Sequence, residues 1–220
     1  MRNRTNRNSL ITLALAAGLT LAVAGCASSG YQQGTKAAET IQAAANRIGA
    51  MPGRIDQTLG ALNDLVEKPQ PDLQPQFKAF NAQLAGMVSE GQAVAAARQK
   101  MATQTKEFFA TWDEQLAQIQ NEDIKARSQS RKEEVAQKLL AIKRNYSECE
   151  MAFRPFLRDL QDVQKYLSVD LTTGGVAAMK TTAGKASQNA APLKSDLTSL
   201  ADGFRALGVA MSASTPAPAK

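Results

Sequence analysis

The stretch VAQKLLAIKRNYSECEMAFRPFLRDLQDVQKYL, residues 135–167, decides the fold. Its apolar residues fall at alternating steps of four and three: Val135, Leu139, Ile142, Tyr146, Cys149, Phe153, Phe156, Leu160, Val163 and Leu167. Side chains three and four apart share one face of an α-helix. The segment therefore reads as a long helix with a narrow apolar stripe, of the kind that forms coiled-coil seams.

Three further stretches repeat the pattern. The C-terminal one runs Val176, Met179, Ala183, Ala186, Ala190, Leu193, Leu197, Leu200, Phe204, Leu207, Met211. The second in chain order runs Phe77, Phe80, Leu84, Met87, Val94, Met101, Phe108, Trp112, Leu116, Ile119, with Gly91, Arg98 and Thr105 weakening its middle. The first runs Ile41, Ala45, Ile48, Ile55, Leu59, Leu62, Val66. Alanine, glutamine, lysine and leucine dominate, aromatics make up only 5%, and no segment alternates in the manner of a strand. The fold class is all-α, an elongated antiparallel bundle or coiled coil of about four long helices over residues 35–211. A helix of about 40 residues is about 60 Å long.

The links are legible. Lys68-Pro69-Gln70-Pro71-Asp72 separates the first two helices, because proline has no amide hydrogen and disfavours helix before it. The polar run Asn121–Ser130 is expected to turn between the second and third. Asp170–Gly175 holds the next turn, with Thr172 or Thr173 as its N-cap. Met51-Pro52-Gly53 is a strong breaker that could split the first helix. Pro155 and Pro192 leave their stripes in phase and read as kinks or as helix starts. Residues 212–220, rich in alanine and proline, read as a disordered tail.

The N-terminus fixes an address. Arg2, Arg4 and Arg7 precede the uncharged apolar run Leu10–Ala24, and Leu21-Ala22-Val23-Ala24-Gly25-Cys26 closes it. This is an export signal ending in a lipobox. Residues 1–25 are expected to be cleaved, with Cys26 lipidated and residues 26–34 serving as a tether. The apolar run is short for a transmembrane span of about 20 residues. Stable anchoring needs two acyl chains or an equivalent. Ala27 after the cysteine fits sorting to the outer membrane, with the protein facing the periplasm. The leader holds three of the 26 basic residues and none of the 20 acidic ones, so the mature chain is 23 against 20, a net +3. No basic stripe remains for nucleic acid.

The chain has no histidine and two cysteines. The commonest general base and neutral metal ligand are missing, and with Cys26 modified, Cys149 has no disulfide partner. No catalytic residue, metal ligand or cofactor motif is found, and the protein is read as not an enzyme. Cys149, between Glu148 and Glu150, reads as a small buried apolar residue rather than a reactive thiol, because carboxylates disfavour the thiolate. The pairs Glu122-Asp123, Glu133-Glu134 and Asp159 with Asp162 read as solvated helix surface. Phe109 lies off the stripe beside Phe108 and Trp112 and is a candidate partner contact. Lys220 is a candidate for attachment to peptidoglycan: a lipidated Cys26, a helical rod and a tail ending in lysine could span membrane to cell wall.

Phe108–Leu116, Ser128–Arg131 and Pro155–Leu167, in this order, resemble an uncharacterised family of bacterial lipoproteins known only as a domain of unknown function. The resemblance implies an all-helical exported protein with no assigned activity, and it transfers no functional residue. The expected role is structural, scaffolding or adaptor work in the cell envelope, with an envelope protein or peptidoglycan as partner. The alternative is a helical binding module for a lipid or small apolar ligand, or a subunit of an envelope transport complex. A ligand cavity lined by Ala183, Ala186 and Ala190 would favour the ligand version, and a continuous exposed apolar patch the subunit version. The stripes could equally seal a homo-oligomer.

Overall fold

A computed structural model describes residues 27–212, with side chains from residue 30 onward except Tyr31. Four long helices, α1 (Ala27–Glu67), α2 (Gln74–Ala117), α3 (Glu122–Val169) and α5 (Lys180–Met211), form the bundle. The single turn α4 (Thr173–Ala178) leads into the last of them. No strand occurs among the described residues. Short links make each helix antiparallel to the next. Around the bundle the order is α2, α1, α5, α3, and the circle closes loosely where α3 returns to α2.

The four stripes meet in one core. Helix α1 touches two close neighbours and so buries a wider face than a seam. Ala44 and Ala45, Thr58 and Leu59, and Leu65 and Val66 are all buried in adjacent pairs. The buried hydroxyls are satisfied on helix backbone: Thr40 donates to the Ala37 carbonyl at 2.8 Å and Thr105 to Met101 at 2.8 Å. Thr58, fully buried, lies 2.8 Å from the Arg54 carbonyl and 3.2 Å from that of Gln83 on α2. It thus brings the two helices close.

The expected break at Pro52 is absent, and Pro155 and Pro192 lie inside helices rather than starting them. Helix α1 runs through Pro52, α3 through Pro155 and α5 through Pro192. Pro155 and Pro192 stand on exposed surface, clear of the packed core. The polar run after Asn121 is helix rather than turn. The Asn121 side chain accepts hydrogen bonds from the Asp123 and Ile124 amides at 3.1 Å each, and Glu122 and Asp123 complement the helix N-terminus. A polar composition does not oppose helix once a cap is in place. Of the two cap candidates, Thr172 serves: its hydroxyl oxygen accepts from the Gly175 amide at 3.1 Å.

The expected tether is also helix. Residues 27–34 are the first two turns of α1. Thr111 donates to Gln33 at 2.5 Å, and Gly34 packs beside Phe108 and Met211. The start of α1 and the end of α5 therefore lie at the same end of the bundle. An even number of long antiparallel helices returns the chain to where it began.

Candidate functional site

The packing leaves an apolar hollow midway along the seam between α2 and α3. In α2 the apolar stripe arrives there with Gly91 and, two turns on, Arg98. Glycine supplies no side chain, so the facing surface of α3 meets nothing. Phe153 is the nearest occupant, 3.5 Å from where a Gly91 Cβ would stand. The result is a half-open cavity of about 310 Å³. Helix α1 contributes Ile48 and Met51 to its floor, and α5 contributes Leu197 and Leu200. Helix α2 gives Gly91 and Val94 on one wall, and α3 gives Tyr146, Cys149 and Phe153 on the other. Almost every lining atom is apolar.

That volume lies at the lower end of the range for small-molecule sites, about 300–1,000 Å³. It is about twice the roughly 150 Å³ dry cavity that holds benzene. Four separate helices converge on it.

Polar groups gather only at the mouth. Arg154 and Glu150 of α3 pair at 2.5 Å on the rim. The Arg98 guanidinium of α2 lies over the Tyr146 ring, 4.6 Å from its centroid. Burial, and then the Glu150 carboxylate, raises the Tyr146 hydroxyl above its ordinary range, while Arg98 and Arg154 act in the opposite direction. All three charged groups thus surround one phenol. Burial pushes the Cys149 thiol up to about 11, assisted by the carboxylates of Asp196 and Glu148. Glu148 was legible from sequence; burial is the larger cause, and Asp196 reaches the thiol only through the fold. The structure places Cys149, 5% exposed, as a buried apolar residue against the cavity.

The remaining candidates do not converge on this site. Cys26 and Lys220 lie outside the described residues. Phe109 is half-buried rather than free: its ring stacks on Trp112 with centroids 6.3 Å apart, and Trp112 donates from Nε1 to the Ser128 hydroxyl at 2.9 Å. Ala183, Ala186 and Ala190 are close-packed and do not line the cavity. Glu133 and Glu134, Glu122 and Asp123, and Asp159 and Asp162 are exposed. Arg131 and Lys138 hold the Glu134 carboxyl below its usual range. Among the described residues no group of three or more cysteine and carboxylate side chains could hold a metal ion, and no helix is long and apolar enough to cross a membrane. Ile124, Leu140 and Met151 are exposed but stand well apart along α3, while Tyr166 and Val169 are exposed side by side at its C-terminal end.

Sequence reasoning missed the cavity because it treated Gly91 and Arg98 as weaknesses of a stripe. They occupy stripe positions, 87-91-94-98-101, and the signal was there. An absent side chain at a seam position is a hole, and a charged one is a rim.

The sequence profile of a family described as "Protein of unknown function (DUF2959)" matches residues 27–203. The chain belongs to this family. The match spans α1 to α4 and most of α5. No match was found among curated proteins or among solved structures.

Proposed function

We propose that this member of the DUF2959 family is a lipid-anchored, periplasm-facing module of the bacterial outer membrane that acts by binding rather than by catalysis. Its ligand is a small apolar molecule held in the α2–α3 seam. One observation carries this reading: a half-open, almost wholly apolar cavity of about 310 Å³ on which all four long helices converge. A bundle that served only as a spacer would gain by closing the seam, since each buried methylene contributes about 0.8 kcal/mol. The lipobox at Cys26 supports the address. It abuts the start of α1 directly, so a lipidated Cys26 would hold the bundle by one end, with the cavity half its length away.

Cys149 provides the test, because its sulfur lines the cavity. The full-length lipoprotein in phosphatidylcholine vesicles is treated with N-ethylmaleimide, and modification of Cys149 is followed by peptide mass spectrometry. Saturating 1-octanol is expected to slow it several-fold, while labelling of a cysteine placed on the far surface at Ser195 stays constant. Equal rates with and without octanol would refute ligand binding in the seam.

The adaptor reading keeps one observation in its favour. The aromatic cluster of Phe108, Phe109 and Trp112 sits at the end of the bundle where α1 begins, beside the expected anchor.

A further inference from the structure

Resting on the seam as a ligand site, we infer that its ligand is an anionic amphiphile. Its single apolar chain lies in the cavity, and its carboxylate or phosphate head is received at the mouth by Arg98 and the Tyr146 hydroxyl.

Two groups are open to a ligand's head: Tyr146, which lines the cavity, and Arg98, which stands beside it over the Tyr146 ring. Arg98 makes no ion pair among the described residues; its contact is the face of Tyr146. The Tyr146 hydroxyl has no hydrogen-bond partner among them; the residue is 8% exposed and the hydroxyl itself reaches solvent. Arg154, the other guanidinium on the rim, is paired with Glu150. Two guanidiniums against one carboxylate leave the mouth with one positive charge.

The arrangement suits one ligand chemistry. An arginine stacked on an aromatic face keeps its planar N–H edge free, and that edge matches a carboxylate or phosphate. The adjacent phenol adds a neutral donor. Arg98 and Gly91 are seven residues apart, two turns of one helix, so the empty wall and the cation sit on the same face of α2 about 10 Å apart along the axis. A charge at one end and an apolar void at the other is the outline of an amphiphile. A cationic head would meet the unpaired Arg98, and an uncharged ligand would leave it unused.

The experiment extends the Cys149 protection assay to four probes with alkyl chains of seven or eight carbons: octanoate, octyl phosphate, 1-octanol and octyltrimethylammonium. A hydrogen bond to a charged group contributes about 1.5–3 kcal/mol, so an anionic probe should protect at concentrations about tenfold or more below octanol. The cation should need more than octanol does. Arg98→Gln should abolish the advantage of the anions and leave octanol protection unchanged. Tyr146→Phe, which keeps the ring, should reduce the anion advantage only in part. An unaltered labelling rate without probe shows that each variant is folded. The better of octanoate and octyl phosphate identifies the head group, and either supports the proposal. Octanol protecting as well as the anions, or an anion advantage that survives Arg98→Gln, overturns the head-group assignment while leaving the seam site standing. Protection by none of the four overturns the seam site itself.

Discussion

Gly91→Ala should stabilise this protein, which is uncommon for a substitution in the middle of a core helix. Glycine inside a helix costs about 1 kcal/mol relative to alanine. The new methyl would stand 3.5 Å from Phe153 Cε1 and 3.7 Å from Cζ, ordinary van der Waals contact with nothing displaced. It would also fill part of the cavity wall, and a buried methyl adds up to about 0.8 kcal/mol. The sum is about 1–2 kcal/mol, or a rise of about 2–8 °C in Tm for a chain of this size. Gly60→Ala in α1 provides the control. It has nothing within 4 Å and is exposed, so it gains helix propensity alone. Thermal unfolding followed by circular dichroism would read both. Gly91→Ala should exceed Gly60→Ala by up to about 0.8 kcal/mol and should also raise the octanol concentration needed to protect Cys149. A Gly91→Ala protein less stable than wild type would refute the reasoning. It would mean that α2 and α3 are in contact at this level and that no void separates them.

Gly175→Ala should behave in the opposite way. A Cβ there would overlap the Asp170 backbone carbonyl and its carboxylate, at the turn where Thr172 caps α4. Overpacking of this kind costs about 1–3 kcal/mol and outweighs the propensity gain. Denaturant titration should show a lower midpoint, and an increase would contradict the turn geometry. Cys149 makes a pH prediction. Its folded pKa, about 11, lies above the ordinary value of 9, so folding favours the protonated thiol. That contribution is complete below pH 9 and is lost as pH rises from 9 to 11. Urea midpoints should fall across this window in wild type and fall less in Cys149→Ala. The alkylation rate of Cys149 should climb about tenfold per pH unit up to about 11 rather than levelling near 9. A plateau at 9 would show the thiol in water.

Much of the architecture could be read directly. Val135 to Leu167 keeps its alternating spacing, and a helix can bury such a stripe in only one direction. Phe80, Leu160 and Phe204, all on stripes, are fully buried. Pro52 misled, because local breaking strength was set against a wide apolar face, and the face prevailed: Met51 and Ile55 on either side are both buried. The polar run after Asn121 misled for the converse reason. A cap and i,i+3 or i,i+4 pairs such as Glu134 with Arg131 and Lys138 hold a helix surface that carries little apolar signal.

The sequence by itself determined that the chain is helical, where its long helices lie, and that they must bury their stripes together. Each of these depends on residues close together in the chain, whose spacing is fixed by the helix repeat. Only the tertiary structure decided which stripes face each other. That choice closes α1 on α2 and α5, leaves α2 and α3 apart, and sets Gly91 opposite Phe153 and Arg98 over Tyr146. A cavity is a property of what is missing between helices far apart in the chain. Gly91 and Arg98 mark one wall in the local pattern, but the facing wall, with Phe153 62 positions from Gly91, is set only by the fold.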